Sequence, residues 1–139
     1  MTVTGLDHVG ILVADLEEAK RFLGDAMGLE VAREAELEQL GLIAAFFACG
    51  PAMIEVFQIV DADSPLRPLE DGATARLDHV AVQVDDLRAT REELDAHGVR
   101  TIEVGDGEEP TSAGGNLNYW TDADSSAGVI YQLIEKGAG

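Results

Sequence analysis

Leu6-Asp7-His8-Val9 recurs in this chain as Leu77-Asp78-His79-Val80. The offset is 79 − 8 = 71 residues, about half of the 139 present. Laid together without a gap, residues 6–25 and 77–96 agree at 8 of 20 positions. Self-similarity at so long a period signals two copies of one supersecondary unit. The chain has three histidines, and two of them, His8 and His79, occupy equivalent points of the copies. The first expectation is therefore a site shared between the halves.

Working outward from the first copy, residues 4–13 read as a strand. Val9, Ile11 and Val13 fall on one face, and Leu6, His8, Gly10 and Leu12 on the other. The β-branched face should pack on a helix, while Gly10 leaves room beside the imidazole. Asp15, with Glu18 three residues on, opens that helix. Leu16, Ala19, Leu23 and Ala26 give its apolar stripe, and Gly28 is its cap. Strands are expected near 29–37, 42–49 and 52–60. Glu55 interrupts the apolar run of the last one, where an unpaired carboxylate would cost several kcal/mol.

Residues 61–75, with Asp, Ser, two Pro and Gly, form a connector. The second copy repeats the parity: Val80, Val82 and Val84 oppose Leu77, His79, Ala81 and Gln83. A helix over 86–97 is capped by Gly98, and strands follow near 99–105, 116–121 and 127–135. Residues 106–115 read as a loop. Gln132 then stands where Glu55 stands in the first copy. The chain is one domain of tandem βαβββ modules: module 1 at 4–60, connector 61–75, module 2 at 76–135.

Composition narrows the function. Nine basic against 27 acidic residues leave a net charge of −18, which argues against nucleic acid and against an anionic membrane surface. No apolar run approaches the ~20 residues of a membrane span. One cysteine, Cys49, permits no internal disulfide, which fits a reducing cytoplasm, and it is expected to be a buried structural thiol. The polar residues within apolar strands, His8, Glu55, His79 and Gln132, suit one divalent transition metal with positions left open for a substrate. Phe46, Phe57, Asn118, Trp120 and Tyr131 are candidates to line or back the pocket. His97, at a helix end, is explained by the helix dipole.

The pattern resembles the vicinal oxygen chelate superfamily, which holds glyoxalase I, acyl-CoA epimerases, extradiol dioxygenases and antibiotic-resistance proteins. The resemblance covers nearly the whole chain. It is carried by Leu6-Asp7-His8-Val9-Gly10, Met27-Gly28-Leu29-Glu30-Val31, Ile54-Glu55-Val56, Leu77-Asp78-His79-Val80-Ala81, Val84-Asp85-Asp86-Leu87, His97-Gly98-Val99, Gly114-Gly115-Asn116 and Gly128-Val129-Ile130. The methylmalonyl-CoA epimerases are the branch it resembles most. The resemblance implies an α+β fold in which a curled mixed sheet surrounds one metal ion. It places His8, Glu55, His79 and Gln132 at the four ligand positions. It further implies a homodimer, and Zn, Ni, Co or Mn as the ion. Two departures stand out: the branch carries Glu where this chain has Gln132, and a basic glutamate where it has Ala44.

These features point to a metal-dependent isomerase or lyase that moves a proton α to a carbonyl through a metal-stabilised enediolate, acting on an acyl-CoA or other carbonyl compound. Glu55 is the expected ligand and proton carrier together. A glyoxalase I-type lyase acting on a thiol hemithioacetal, and an antibiotic- or metabolite-binding protein without catalysis, are the alternatives. An extradiol dioxygenase is disfavoured, because its carboxylate ligand is replaced by Gln132. Arg67 and Arg76 are the cations nearest the connector available to a polyanionic CoA ester.

Overall fold

The computed structural model describes residues 3–102 and 110–138. Among the described residues it contains nine strands and two α-helices, eight of the strands in the α+β arrangement of two βαβββ modules and the ninth added in the second. Two compact units emerge, one formed by His8–Asp78 and the other by residues 1–7 with His79–Gly139.

In the first unit the strand order is β2 (Val31–Leu37), β3 (Leu42–Cys49), β4 (Ala52–Ile59), β1 (Val3–Val13). β4 runs parallel to β1, and the other pairs are antiparallel. A parallel pair needs a crossover, and α1 (Leu16–Arg21) lies within it. The β-branched face of β1 does pack on that helix. Ile11 and Val13 join Ile54, Val56, Ala45 and Phe47 beneath Leu16, Ala19 and Leu23. Asp15 caps α1 by accepting from the backbone N–H of Glu18 at 3.1 Å. A second helical N–H, that of Leu16, donates to Oε1 of Gln58 on β4 at 2.9 Å. Without such partners the first turn's donors would be buried unsatisfied.

The helix ends differently from a simple α-turn. Phe22–Ala26 widens into a π-type turn, with the N–H of Met27 reaching the carbonyl of Phe22 at 3.0 Å. Gly28, at φ 73°, then reverses the chain. On the face away from α1, Leu12, Ala44, Phe46 and Phe57 form a second cluster, completed by Leu66 and Leu69 of the connector. The connector, too polar to be a core strand, thus lends two leucines to the core. Arg76 pins it by donating to the carbonyls of Pro68 and Arg67 at 2.9 and 3.0 Å.

The second unit repeats the design. Its order is β5 (Ala75–Val84), β9 (Ile130–Glu135), β8 (Asn116–Thr121), β6 (Thr101–Ile102), with β5 and β9 parallel. Residues 103–105 of the strand expected at 99–105 lie outside the described residues. α2 (Leu87–Ala96) is capped by Asp86, which accepts from the N–H of Ala89 at 3.0 Å. The N–H of Leu87 donates to Oε1 of Glu135 at 2.8 Å, as Leu16 does to Gln58. Val84, Leu87, Tyr119 and Leu133 form the core under α2, with Val82, Leu94, Leu117 and Tyr131 against it.

The second unit departs from expectation at its hairpin and at the start of its last strand. Residues 111–113, read as loop, form β7 (Thr111–Ala113), paired with β8. Gly114 and Gly115, at φ 60° and 78°, close a two-residue hairpin that demands positive φ at both positions. β9 begins at Ile130 rather than 127, because Ala127 and Gly128 also adopt positive φ and turn the chain. Among the described residues, no helix is long and apolar enough to cross a membrane.

Candidate metal centre

In the first unit, pairing register builds the site. Gly10 on β1 lies beside Glu55 on β4, and His8 beside Met53. Glu55 in turn faces Phe46 on β3, which faces Arg33 on β2. Register partners share a face of a sheet. His8, Gly10, Glu55, Phe46 and Arg33 therefore point away from α1 together. His8 and Glu55 are 4% and 8% exposed. Nε2 of His8 lies 3.4 Å from Oε1 of Glu55.

That separation is longer than a closed ion pair and suits a second role. A charge-assisted N–H···O bond closes to roughly 2.7–2.9 Å. Two ligands each ~2.0–2.1 Å from a tetrahedral zinc stand roughly 3.3 Å apart. The observed spacing fits two donors to one cation, and the donor set, one imidazole and one carboxylate, suits a divalent ion. Phe46 holds the imidazole from the side, its ring edge-on with centroids 5.4 Å apart and planes at 87°. The Arg33 guanidinium covers the same phenyl ring, 3.9 Å from its centroid. Phe46 is one of the lining residues expected from the sequence, whereas its Arg33 cover depends on the β2–β3 register and is not apparent from one-dimensional spacing.

In the second unit, His79 on β5 is 8% exposed. Gln132 on β9 lies beside Ala81, so His79, Ala81 and Gln132 share the face away from α2. The small residues Gly10 and Ala81 thus stand beside Glu55 and Gln132 respectively, the space that the sequence pattern anticipated. Trp120 faces Gln132 across the β8–β9 pair, and Asn118 follows on the same face. Nε2 of Gln132 donates to Oδ1 of Asn118 at 3.0 Å. His8, Glu55 and His79 are each buried, and each offers one metal-ligating atom.

Several expectations need correction. Tyr131 points to the α2 side and packs in that core, not toward the site. Cys49 is exposed rather than buried, at the end of β3 before the Gly50 turn. Arg76 is engaged with Glu70 and Asp78, and Arg67 with Glu70. Ala44 is 3% exposed among Leu12, Phe46 and Phe57, so the position where a second base was sought is apolar core. One further cleft, about 350 Å³, lies on the helix side of the first unit. There Lys20 bonds Glu34, whose carboxylate raises the lysine pKa, with Glu17 and Glu36 also on the lining.

Residues 7–116 match the Glyoxalase/Bleomycin resistance protein/Dioxygenase superfamily, and the chain belongs to that family. It is 30% identical over 129 residues to an ethylmalonyl-CoA/methylmalonyl-CoA epimerase of Cereibacter sphaeroides, covering 92% of this chain and 95% of that one. It is 29% identical over 98 residues to the mitochondrial methylmalonyl-CoA epimerase of Mus musculus, where the match covers 70% of this chain and 55% of the relative's length. A crystal structure of methylmalonyl-CoA epimerase from Mycobacterium tuberculosis superposes with a TM-score of 0.82 at 28% identity, covering 96% and 89% of the two chains.

Proposed function

We propose that this protein is a metal-dependent epimerase of 2-carboxyacyl-CoA thioesters of the methylmalonyl-CoA type, with His8, Glu55, His79 and Gln132 holding one divalent cation. The observation that carries the reading is the buried His8–Glu55 pair at ligand spacing, in a chain whose relatives include named methylmalonyl-CoA epimerases. Zinc, nickel, cobalt and manganese all suit imidazole and oxygen donors. A homodimer in the cytoplasm belongs to the same proposal.

What a divalent ion supplies when bound there is Lewis acidity toward the substrate's carbonyl oxygens. The chain's own part is proton transfer. Glu55 takes the hydrogen on the carbon between the two carbonyl groups, as a proton. The C–H electron pair passes to the thioester oxygen, leaving an enolate that turns its other face to Glu55; the same carboxyl then returns a proton to carbon there and the thioester carbonyl is restored. Ala44 carries no acid or base, so Glu55 works alone and exchanges its proton with solvent during turnover.

The test is incubation of the metal-loaded protein with methylmalonyl-CoA in deuterated water. Deuterium at C2, read by mass spectrometry, is the expected result. Metal uptake without incorporation overturns the epimerase reading. Ala44 favours a second reading in that event: a site that chelates a carbonyl metabolite, or a thiol hemithioacetal, without this exchange.

A further inference from the structure

We infer that Asn118 is a positioning residue that fixes which atom of Gln132 is presented to the cation. The inference rests on the reading of Gln132 as a ligand. A carboxamide has two unlike ends: its oxygen can ligate a metal, and its NH₂ cannot. Glutamate has no such problem, because both its ends are oxygens. A glutamine ligand therefore needs something to orient it.

Asn118 does this through a one-way relay. It is 3% exposed, in the middle of β8. Its Nδ2 donates to the carbonyl of Thr111 at 3.1 Å and to that of Asn116 at 3.4 Å. Backbone carbonyls only accept, so turning the asparagine amide round would set its oxygen against two carbonyl oxygens. Its Oδ1 must then face Gln132, where it can only accept. Gln132 consequently turns its NH₂ toward Asn118, 3.0 Å away, and its Oε1 away from Asn118. Among the described residues, no donor reaches that Oε1. The oxygen left over is the atom that a metal requires. The relay begins in the β7–β8 hairpin, so the register set by Gly114 and Gly115 is transmitted to the site.

The test is metal affinity, measured by titration with cobalt or zinc, in a double-mutant cycle. Asn118→Leu should lower affinity at least tenfold, in the range seen when partners of metal ligands are removed. In a Gln132→Glu background the same Asn118→Leu change should cost less than about threefold, because a carboxylate needs no orienting. Asn118→Asp keeps an acceptor for Gln132 but loses both donations to the hairpin. It should retain wild-type affinity while melting at a lower temperature. An equal loss in both backgrounds would mark Asn118 as merely structural and overturn the inference. An unchanged affinity in Asn118→Leu would overturn it as well. Gln132→Ala separates the premise from the inference: if it binds metal as tightly as wild type, Gln132 is no ligand and both fail together.

Discussion

Glu55 presents Oε1 to Nε2 of His8 at 3.4 Å, with both side chains buried. A buried carboxylate carries a desolvation penalty that its partners must offset. A cation shared with His8 would add to that offset.

Replacement of this carboxylate by its isosteric amide separates chemistry from folding. Glu55→Gln should lower deuterium incorporation into methylmalonyl-CoA by 10²-fold or more, the scale of a lost general base. Its circular dichroism should match wild type. An unchanged exchange rate would remove Glu55 from the proton path.

Metal loading should be visible in stability without any substrate. A ligand that binds only the folded state stabilises by about 2.7 kcal/mol at a hundredfold excess over its Kd. Protein stripped with a chelator should therefore melt several degrees lower, and zinc or cobalt should restore the loss. In His8→Ala the same additions should move the melting temperature far less. Equal shifts in the two proteins would place the cation elsewhere.

Both helices begin with an N–H donated to a side chain of the parallel strand, Leu16 to Gln58 and Leu87 to Glu135. Truncation of either acceptor leaves that first-turn donor unpaired, at a cost of about 1–3 kcal/mol. Gln58→Ala and Glu135→Ala should each lower the denaturation midpoint in urea with the slope preserved. A neutral result in both would mean that water substitutes for the acceptors.

Asp122 gives a pH signature. The hydrogen bond from Arg100 holds its carboxyl below the ordinary carboxylate value. A depressed folded-state pKa contributes stability that is complete above the unfolded value and is lost as pH falls through the folded one. Asp122→Asn should therefore be less stable than wild type near neutrality, with the gap closing below roughly pH 4. The pair is exposed, so the gap should be small and shrink in high salt. Melting curves across that range provide the check, and a gap that widened in acid would contradict it.

The strands bearing the candidate ligands were legible because their alternation is strict. Val80, Val82 and Val84 leave His79 no choice of face, and the repeat does the same for His8. Asp15 and Asp86 announced both helix starts for a similarly local reason, an oxygen within reach of an N–H three residues on. What escaped depends on partners distant in sequence. Thr111-Ser112-Ala113 has no apolar alternation and becomes a strand only because β8 pairs with it. Cys49 follows the apolar run Ala44-Ala45-Phe46-Phe47-Ala48, which suggests burial, yet the strand has left the core by then. Phe46 and Asn118 are among the lining residues expected from the sequence, but which candidate ligand each touches, His8 or Gln132, is set by register between strands and has no one-dimensional signature.

Asp7 accepts from Gln83 at 2.9 Å and pairs with Lys136 at 2.8 Å, which ties the start of β1 to the unit that holds the rest of the second copy. The seam between packing units thus runs through β1, one residue before His8. Scission in the connector would leave the C-terminal fragment without Thr4 and Asp7, whose bonds its packing uses. A split version of this protein for fragment complementation would therefore need a spare copy of that leading segment grafted onto the later piece.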